Sequence, residues 1–307
     1  MKYRFLRLGA LFIRSKFALL LLPLSWIWNS VSRLRHFLYD RGIFRIHKVD
    51  VPVISVGNLA VGGTGKTPLV IRLAQSFSEK SVAILLRGYG GDEEKILKKH
   101  LPYATVYADP DRVKSAKLAV QNGAEIIILD DGFQHRRLHR DVDLVIIRKR
   151  DFIGRCLPAG DLRDSSKRLG KADLLVWDTD IQIRVRRIVT LDGKEIPSIQ
   201  GQRVGMFCGI GAPQKFKKTL LSLGAEISAE WILADHEPIG KKRLEAFYEK
   251  CKLLRVRYLM CTEKDAVKLP ASDLPILYVE IEAEVLGFEK LMAKIEERMY
   301  NLDFATF

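Results

Sequence analysis

The run Val53-Ile-Ser-Val-Gly-Asn-Leu-Ala-Val-Gly-Gly-Thr-Gly-Lys-Thr67 passes from apolar residues into glycines and closes on Gly65-Lys66-Thr67. These residue types at this spacing are what a phosphate cradle needs. Small residues let backbone N–H groups wrap phosphate oxygens, an ammonium reaches the outer phosphates, and a hydroxyl takes a magnesium position. On that reading Gly62, Gly63, Thr64, Gly65, Lys66 and Thr67 hold the nucleotide, and Thr67 also faces Mg2+. The pattern G-x-x-x-x-G-K-[ST] has Ala60 in place of its first glycine, which leaves the tight turn to Gly62 and Gly63. The competing reading is an ordinary glycine-rich connection between a strand and a helix. A helix does follow: Pro68 falls in its first turn, and Leu69, Val70, Leu73, Ala74 and Phe77 recur at helical spacing.

Three further clusters could act beside such a loop. Glu125-Ile-Ile-Ile-Leu-Asp-Asp131 reads as a buried strand ending in two carboxylates, and Asp130 or Asp131 is then the acid that holds magnesium. Gly132-Phe-Gln-His-Arg-Arg137 follows at once, placing Gln134 and His135 where phosphates or a phosphorylated substrate would lie, with a solvated basic turn as the alternative. Arg87-Gly-Tyr-Gly-Gly-Asp-Glu93 leaves the second strand toward the same edge. Asp92 there could accept a proton from an attacking hydroxyl, with Glu93 beside it, or Asp92 could cap the next helix. Asp235-His236 in the second half adds an imidazole that could orient or share that proton.

The elements that must position these residues alternate regularly. Strands are predicted over 51–56, 82–86, 104–107, 125–129, 143–147 and 173–177, with helices over 65–79, 93–100 and 111–122. That alternation predicts an α/β fold, a P-loop NTPase-like, mostly parallel sheet with helices on both faces and its ligand at the carboxyl ends of the strands. Residues 181–202 lose long helices and read as a linker or hairpin. A second, smaller α/β domain is predicted over 203–307, closing with a helix over 285–299. The domains expected are an anchor segment 1–48, a P-loop kinase core 49–180, the connection 181–202 and the C-terminal domain 203–307.

Charge is distributed unevenly. Of a net +14, residues 1–48 carry ten Lys or Arg against one acid, Asp40, hence 10 − 1 = +9. Within this basic segment lies an uncharged stretch from Phe17 to Ser32 containing Trp26 and Trp28. As a helix it covers ~24 Å, short of the ~30 Å hydrocarbon core. Basic flanks and interfacial tryptophans predict a membrane-anchoring helix lying on an anionic leaflet. A full span needs Leu8 to Ile13 to join it; a helix buried in the soluble core and a cleaved secretory signal are the rivals, the second without a small-residue cleavage site after the apolar run. Charge gathered at one end points to anionic lipid rather than nucleic acid, and nothing calls for an obligate protein partner. The four cysteines have no C-x-x-C spacing, which fits a reducing compartment without a zinc site.

Taken together, the anchor segment, Val56-Gly-Asn-Leu-Ala-Val-Gly-Gly-Thr-Gly-Lys-Thr-Pro68, Arg87-Gly-Tyr-Gly90, Gly91-Asp-Glu93, Asp130-Asp-Gly-Phe-Gln-His-Arg136 and Leu157-Pro-Ala-Gly-Asp-Leu-Arg163 closely resemble the tetraacyldisaccharide 4′-kinase family of lipid A biosynthesis. Cys208-Gly-Ile-Gly-Ala-Pro213, Asp235-His236 and Thr262-Glu-Lys-Asp-Ala-Val-Lys-Leu269 extend the resemblance over nearly the whole chain. The resemblance implies an ATP- and Mg2+-dependent phosphotransferase acting on the 4′-hydroxyl of a tetraacylated glucosamine disaccharide 1-phosphate. That reaction belongs to the cytoplasmic face of the inner membrane. It also implies Asp92 as the base, His236 as its partner, Lys66 and Thr67 on phosphates and Mg2+, and Asp130 and Asp131 in the metal region. This chain departs from the family in fusing Arg87-Gly-Tyr-Gly90 directly to Gly91-Asp-Glu93, and in carrying Asp161, Asp164 and Glu94 where Pro, Glu and Pro are usual. The rival functions are a nucleotide-gated recruitment GTPase or ATPase at the membrane and a kinase of a soluble metabolite.

Overall fold

The computed structural model describes residues 16–62, 65–89, 91–234 and 237–303. The chain divides into two compact units, with the boundaries at residues 182/183 and 282/283.

The larger unit is built on six parallel strands, β1 (Val53–Asn58), β2 (Val82–Leu86), β3 (Thr105–Ala108), β4 (Ile126–Asp130), β5 (Val142–Ile147) and β6 (Leu174–Trp177). Their order is β3-β2-β4-β1-β5-β6. All residues of β1, β2, β4 and β5 are buried, as expected of a parallel sheet covered on both faces. Because successive side chains alternate faces, Ile54, Val56, Ile84, Ile126 and Ile128 pack on one side with Leu69, Val70 and Leu73 of α2 (Lys66–Ser76). Val53, Ala83, Leu85, Ile127 and Leu129 pack on the other with Val113, Ala116 and Ala119 of α4 (Arg112–Gln121). α3 (Asp92–His100) follows β2, and α1 (Leu22–Asp40) precedes the sheet. The chain leaves β1 for β2 and β3 and returns to β4 beside β1 before continuing to β5 on the other side. This switch in direction brings the carboxyl ends of β1 and β4 together, with Val56 in register with Asp130.

The smaller unit carries a mixed sheet ordered β10-β9-β11-β12-β7-β8. β9 (Arg203–Cys208), β10 (Glu226–Ile232), β11 (Tyr258–Thr262) and β12 (Ile276–Val285) run parallel where they pair, and α5 (Pro213–Ser222) and α6 (Lys241–Leu253) connect them. The stretch expected as a linker or hairpin is a hairpin, β7 (Ile181–Thr190) against β8 (Glu195–Ile196), and it is part of this sheet.

One boundary differs from the sequence reading. The closing helix, α7 (Phe288–Asp303), does not join the C-terminal domain. Residues 283–303 belong to the larger unit, where Ile295 and Met299 enter the same core as Ile54 and Val56 and Arg298 pairs with Asp173 at 2.6 Å. Helical periodicity records that a helix has an apolar face but not which sheet covers it. Among the described residues no helix is long and apolar enough to cross a membrane. The segment Leu8 to Ile13 lies outside the described residues.

Candidate active site

The site grows from the end of β1. Gly57 has no alternative: a Cβ there would lie 2.5 Å from the Cβ of Phe133. The close approach lets the turn after β4 lie directly against the strand leading into the phosphate loop. Asn58 is buried, and its Oδ1 accepts from Lys66 Nζ at 3.2 Å while its carbonyl accepts from Gln134 Nε2 at 2.8 Å. Ala60, in the place of the expected glycine, is fully buried and bridges to Leu162, so this part of the loop is held rather than turning sharply. The turning falls to Gly62 and Gly65, at φ +111 and +85, a region that strongly favours glycine. Gly63 and Thr64 lie outside the described residues. Lys66 and Thr67 open α2, whose free N–H groups and positive dipole end face the loop.

The end of β4 supplies the acids. Asp130 is 3% exposed and its Oδ1 has no hydrogen-bond partner. Burial, and then the negative charge of Glu93, push its pKa up to about 7 against the pull of Lys66. Asp131 adopts φ +53, which turns the chain sharply toward the loop. Its carboxylate takes a hydrogen bond from Arg163 Nη1 at 2.5 Å and lies 3.4 Å from Lys66 Nζ, while its carbonyl accepts from Arg112 at 2.9 Å. Burial raises the Asp131 carboxyl, but Lys66 and Arg163 outweigh it and hold the group below its ordinary range. The two neighbouring acids therefore differ in kind. Each keeps an Oδ1 without a hydrogen-bond partner, but Asp131 is already neutralised by Lys66 and Arg163, whereas burial and Glu93 hold Asp130 toward its protonated form.

The Asp130 Oδ1, with the Thr67 hydroxyl at the head of α2, fits a magnesium ion. No group of three or more His, Cys, Asp or Glu able to hold a metal occurs among the described residues. Mg2+ beside a nucleotide needs only one or two protein carboxylates, because phosphates and water complete its shell.

Asp92 is the first residue of α3 and is 1% exposed. The N-cap position is taken by Gly91, at φ +70, and Asp92 lies one residue inside the helix. Glu93 is close enough to be the strongest charge felt by Asp130 after burial. Gln134 is committed to Asn58 and so acts on the scaffold of the loop. Burial and the charges of Arg112, Arg140 and Arg137 lower the pKa of His135 to about 4, leaving a neutral imidazole near pH 7. His236 and Asp235 lie outside the described residues.

Three residues of this constellation carried no role in the sequence reading: Asn58, Arg112 and Arg163. Asn58 is signalled only as the polar end of a buried strand, and Arg163 as the end of the Leu157–Arg163 motif. Arg112 opens a helix whose other buried residues suggest only packing, yet it reaches the turn after β4.

Comparison with known proteins bears on this geometry. The sequence profile described as tetraacyldisaccharide-1-P 4′-kinase matches residues 17–95 and 90–300. The two matched segments meet where Arg87-Gly-Tyr-Gly90 and Gly91-Asp-Glu93 are fused. The tetraacyldisaccharide 4′-kinase of Aquifex aeolicus is 36% identical over 256 residues, covering 70% of this chain and 81% of the relative. That of Syntrophotalea carbinolica is 35% identical over 317 residues, covering 88% of each. A crystal structure of LpxK from Aquifex aeolicus in complex with ATP is similar with a TM-score of 0.78 at 31% identity, covering 92% of this chain and 100% of that one.

Proposed function

This chain belongs to the tetraacyldisaccharide-1-P 4′-kinase family, and from that premise we propose that it transfers the γ-phosphoryl group of ATP to the 4′-hydroxyl of a tetraacylated glucosamine disaccharide 1-phosphate, forming lipid IVA. The observation that carries the site assignment is the meeting of Lys66 with the acids at the end of β4, 3.4 Å from Asp131 and beside the unsatisfied oxygen of Asp130.

The residues divide the work as follows. The backbone from Gly62 to Gly65 and the first turn of α2 receive the phosphate chain. Lys66 exchanges its contact with Asp131 for the outer phosphates. The 4′-hydroxyl oxygen bonds to Pγ, the bond from Pγ to the bridging oxygen breaks, and ADP departs. The hydroxyl proton passes to Asp92, with His236 as its partner. Thr67 and Asp130 would hold Mg2+, which supplies charge neutralisation on the phosphates. Catalysis of this kind rests on positioning and electrostatics rather than covalent chemistry.

The membrane role rests on α1. Leu24, Trp26, Ile27, Val31 and Leu34 are exposed on it, with Arg33, Arg41, Arg45 and Lys48 on or just beyond the helix. An apolar face with a basic surround suits an anionic leaflet, here the cytoplasmic face of the inner membrane. The test is transfer of ³²P from labelled ATP to tetraacyldisaccharide 1-phosphate in mixed micelles, comparing wild type with Asp92→Ala and His236→Ala. Loss of labelled lipid by orders of magnitude in Asp92→Ala is expected. Intact ATP binding with no lipid product in the wild type would overturn the acceptor.

A further inference from the structure

The face that α1 turns inward is polar. Ser25, Ser32 and His36 lie at helical spacing on one side, and Ser25 and His36 are buried, while Leu24, Ile27, Val31 and Leu34 are exposed. A helix that only covered a core would show the reverse arrangement. Arg35 and Arg136 tie the helix to the turn after β4, through Gln134 O and through His36 O and Asp40, and the remaining inward contacts converge on the loop 156–164. Ser25 Oγ donates to Cys156 O at 2.6 Å, Trp28 Nε1 to Arg163 O at 3.0 Å and Ser32 Oγ to Asp164 Oδ1 at 3.0 Å. His36 Nε2 stands 2.5 Å from Asp164 Oδ2.

Arg163 lies at the centre of this clasp. Its N–H donates to Leu59 O at 2.7 Å, its carbonyl accepts from Trp28, and the neighbouring Asp164 is held by His36, Ser32 and the Ser165 N–H. Its guanidinium is thereby aimed at Asp131, the acid facing Lys66. Asp164 is 3% exposed; without His36 its Oδ1 keeps Ser32 and the Ser165 N–H, but Oδ2 is left buried without its partner, a cost that a shift of the loop carrying Arg163 would relieve. We propose that His36 is a positioning residue for phosphoryl transfer: through Asp164 it fixes the backbone of Arg163, whose guanidinium sets Asp131 against Lys66. The same helix that presents an apolar face outward thus orders the nucleotide site. This inference rests on the kinase reading above.

The test measures kcat and KM for both substrates in mixed micelles with the full chain, comparing wild type, His36→Ala, His36→Gln, Arg163→Ala and His36→Ala with Arg163→Ala. His36→Ala is expected to lower kcat by about tenfold or more with little change in the lipid KM, since small misplacements near reacting groups cost this much. His36→Gln, which retains an N–H near the Nε2 position, should recover most of it. In the Arg163→Ala background, removing His36 should cost less than threefold, because its route of action is gone. Circular dichroism at the assay temperature establishes that each variant is folded. Wild-type kcat in His36→Ala, or an undiminished loss in the Arg163→Ala background, would overturn the proposal while leaving the kinase reading intact. Absence of lipid phosphorylation by the wild type would sink that reading and the inference with it.

Discussion

Adding one methyl group at Gly57 tests the geometry of the site more severely than removing a side chain from it. In Gly57→Ala the new Cβ would stand 2.5 Å from Phe133 Cβ, 2.9 Å from its N and 3.2 Å from its Cα. Carbon atoms settle at about 3.5–4.0 Å, so the turn after β4 must retreat by roughly 1 Å. Phe133 cannot yield freely, because it is wedged among Leu59, Val145, Leu162 and Leu169. Overpacking of this kind costs about 1–3 kcal/mol, which a domain of ordinary stability survives. The displaced turn carries Asp131 and Gln134, and with them the acid beside Lys66 and the bond to Asn58. Misplacement by about 1 Å can cost roughly a hundredfold in rate, about 2.7 kcal/mol in barrier. The measurement is kcat for lipid phosphorylation alongside the urea midpoint. Gly170→Ala serves as the control, because a Cβ there meets nothing within 4 Å. The expected outcome is a fall in kcat of about ten- to a hundredfold in a folded protein, with the control unchanged. Wild-type kcat and midpoint in Gly57→Ala would refute the claim that this contact sets the site.

Other outcomes follow from the same structure. Lys66→Ala should abolish phosphoryl transfer while leaving the melting temperature nearly unchanged, since the polar partners of its side chain among the described residues are Asn58 and Asp131; a melting scan beside the ³²P assay checks both halves. The Asp130 carboxyl has a folded pKa raised from 3.8 to about 7, so its contribution is fully present below pH 3.8 and declines as pH rises toward and through 7. Ligand-free wild type should therefore lose stability between pH 5 and pH 8 relative to Asp130→Asn, and parallel urea midpoints for the two would exclude the shift. On the membrane side, Ile27→Asp with Val31→Asp should weaken sedimentation with anionic vesicles at least tenfold without lowering the melting temperature, as both side chains are exposed.

Much of the larger unit can be read from the chain because its signals are local. Continuous apolar runs marked β1, β2, β4 and β5, and 3.6-residue periodicity marked α2 and α4, since burial on both faces or on one stripe leaves a direct imprint on residue order. The phosphate loop is similarly local: Gly62, Gly65, Lys66 and Thr67 lie within six residues, and their spacing states their chemistry. Strand order is not local. Only the return of the chain to place β4 beside β1 brings Asp131 to Lys66 across 64 intervening positions, and only there does burial lift Asp130 while paired cations hold Asp131 down. That the N-cap position falls to Gly91 rather than Asp92 depends on a backbone turn, which residue type at position 92 does not reveal. Likewise α7 shows an apolar stripe in either unit, and the tertiary structure alone assigns it to the first sheet. The basic, apolar character of α1 was legible as an affinity for lipid. That its polar stripe grips Arg163 and Asp164 could be decided only by the fold, because the contacts of Trp28, Ser32 and His36 join residues more than a hundred positions apart.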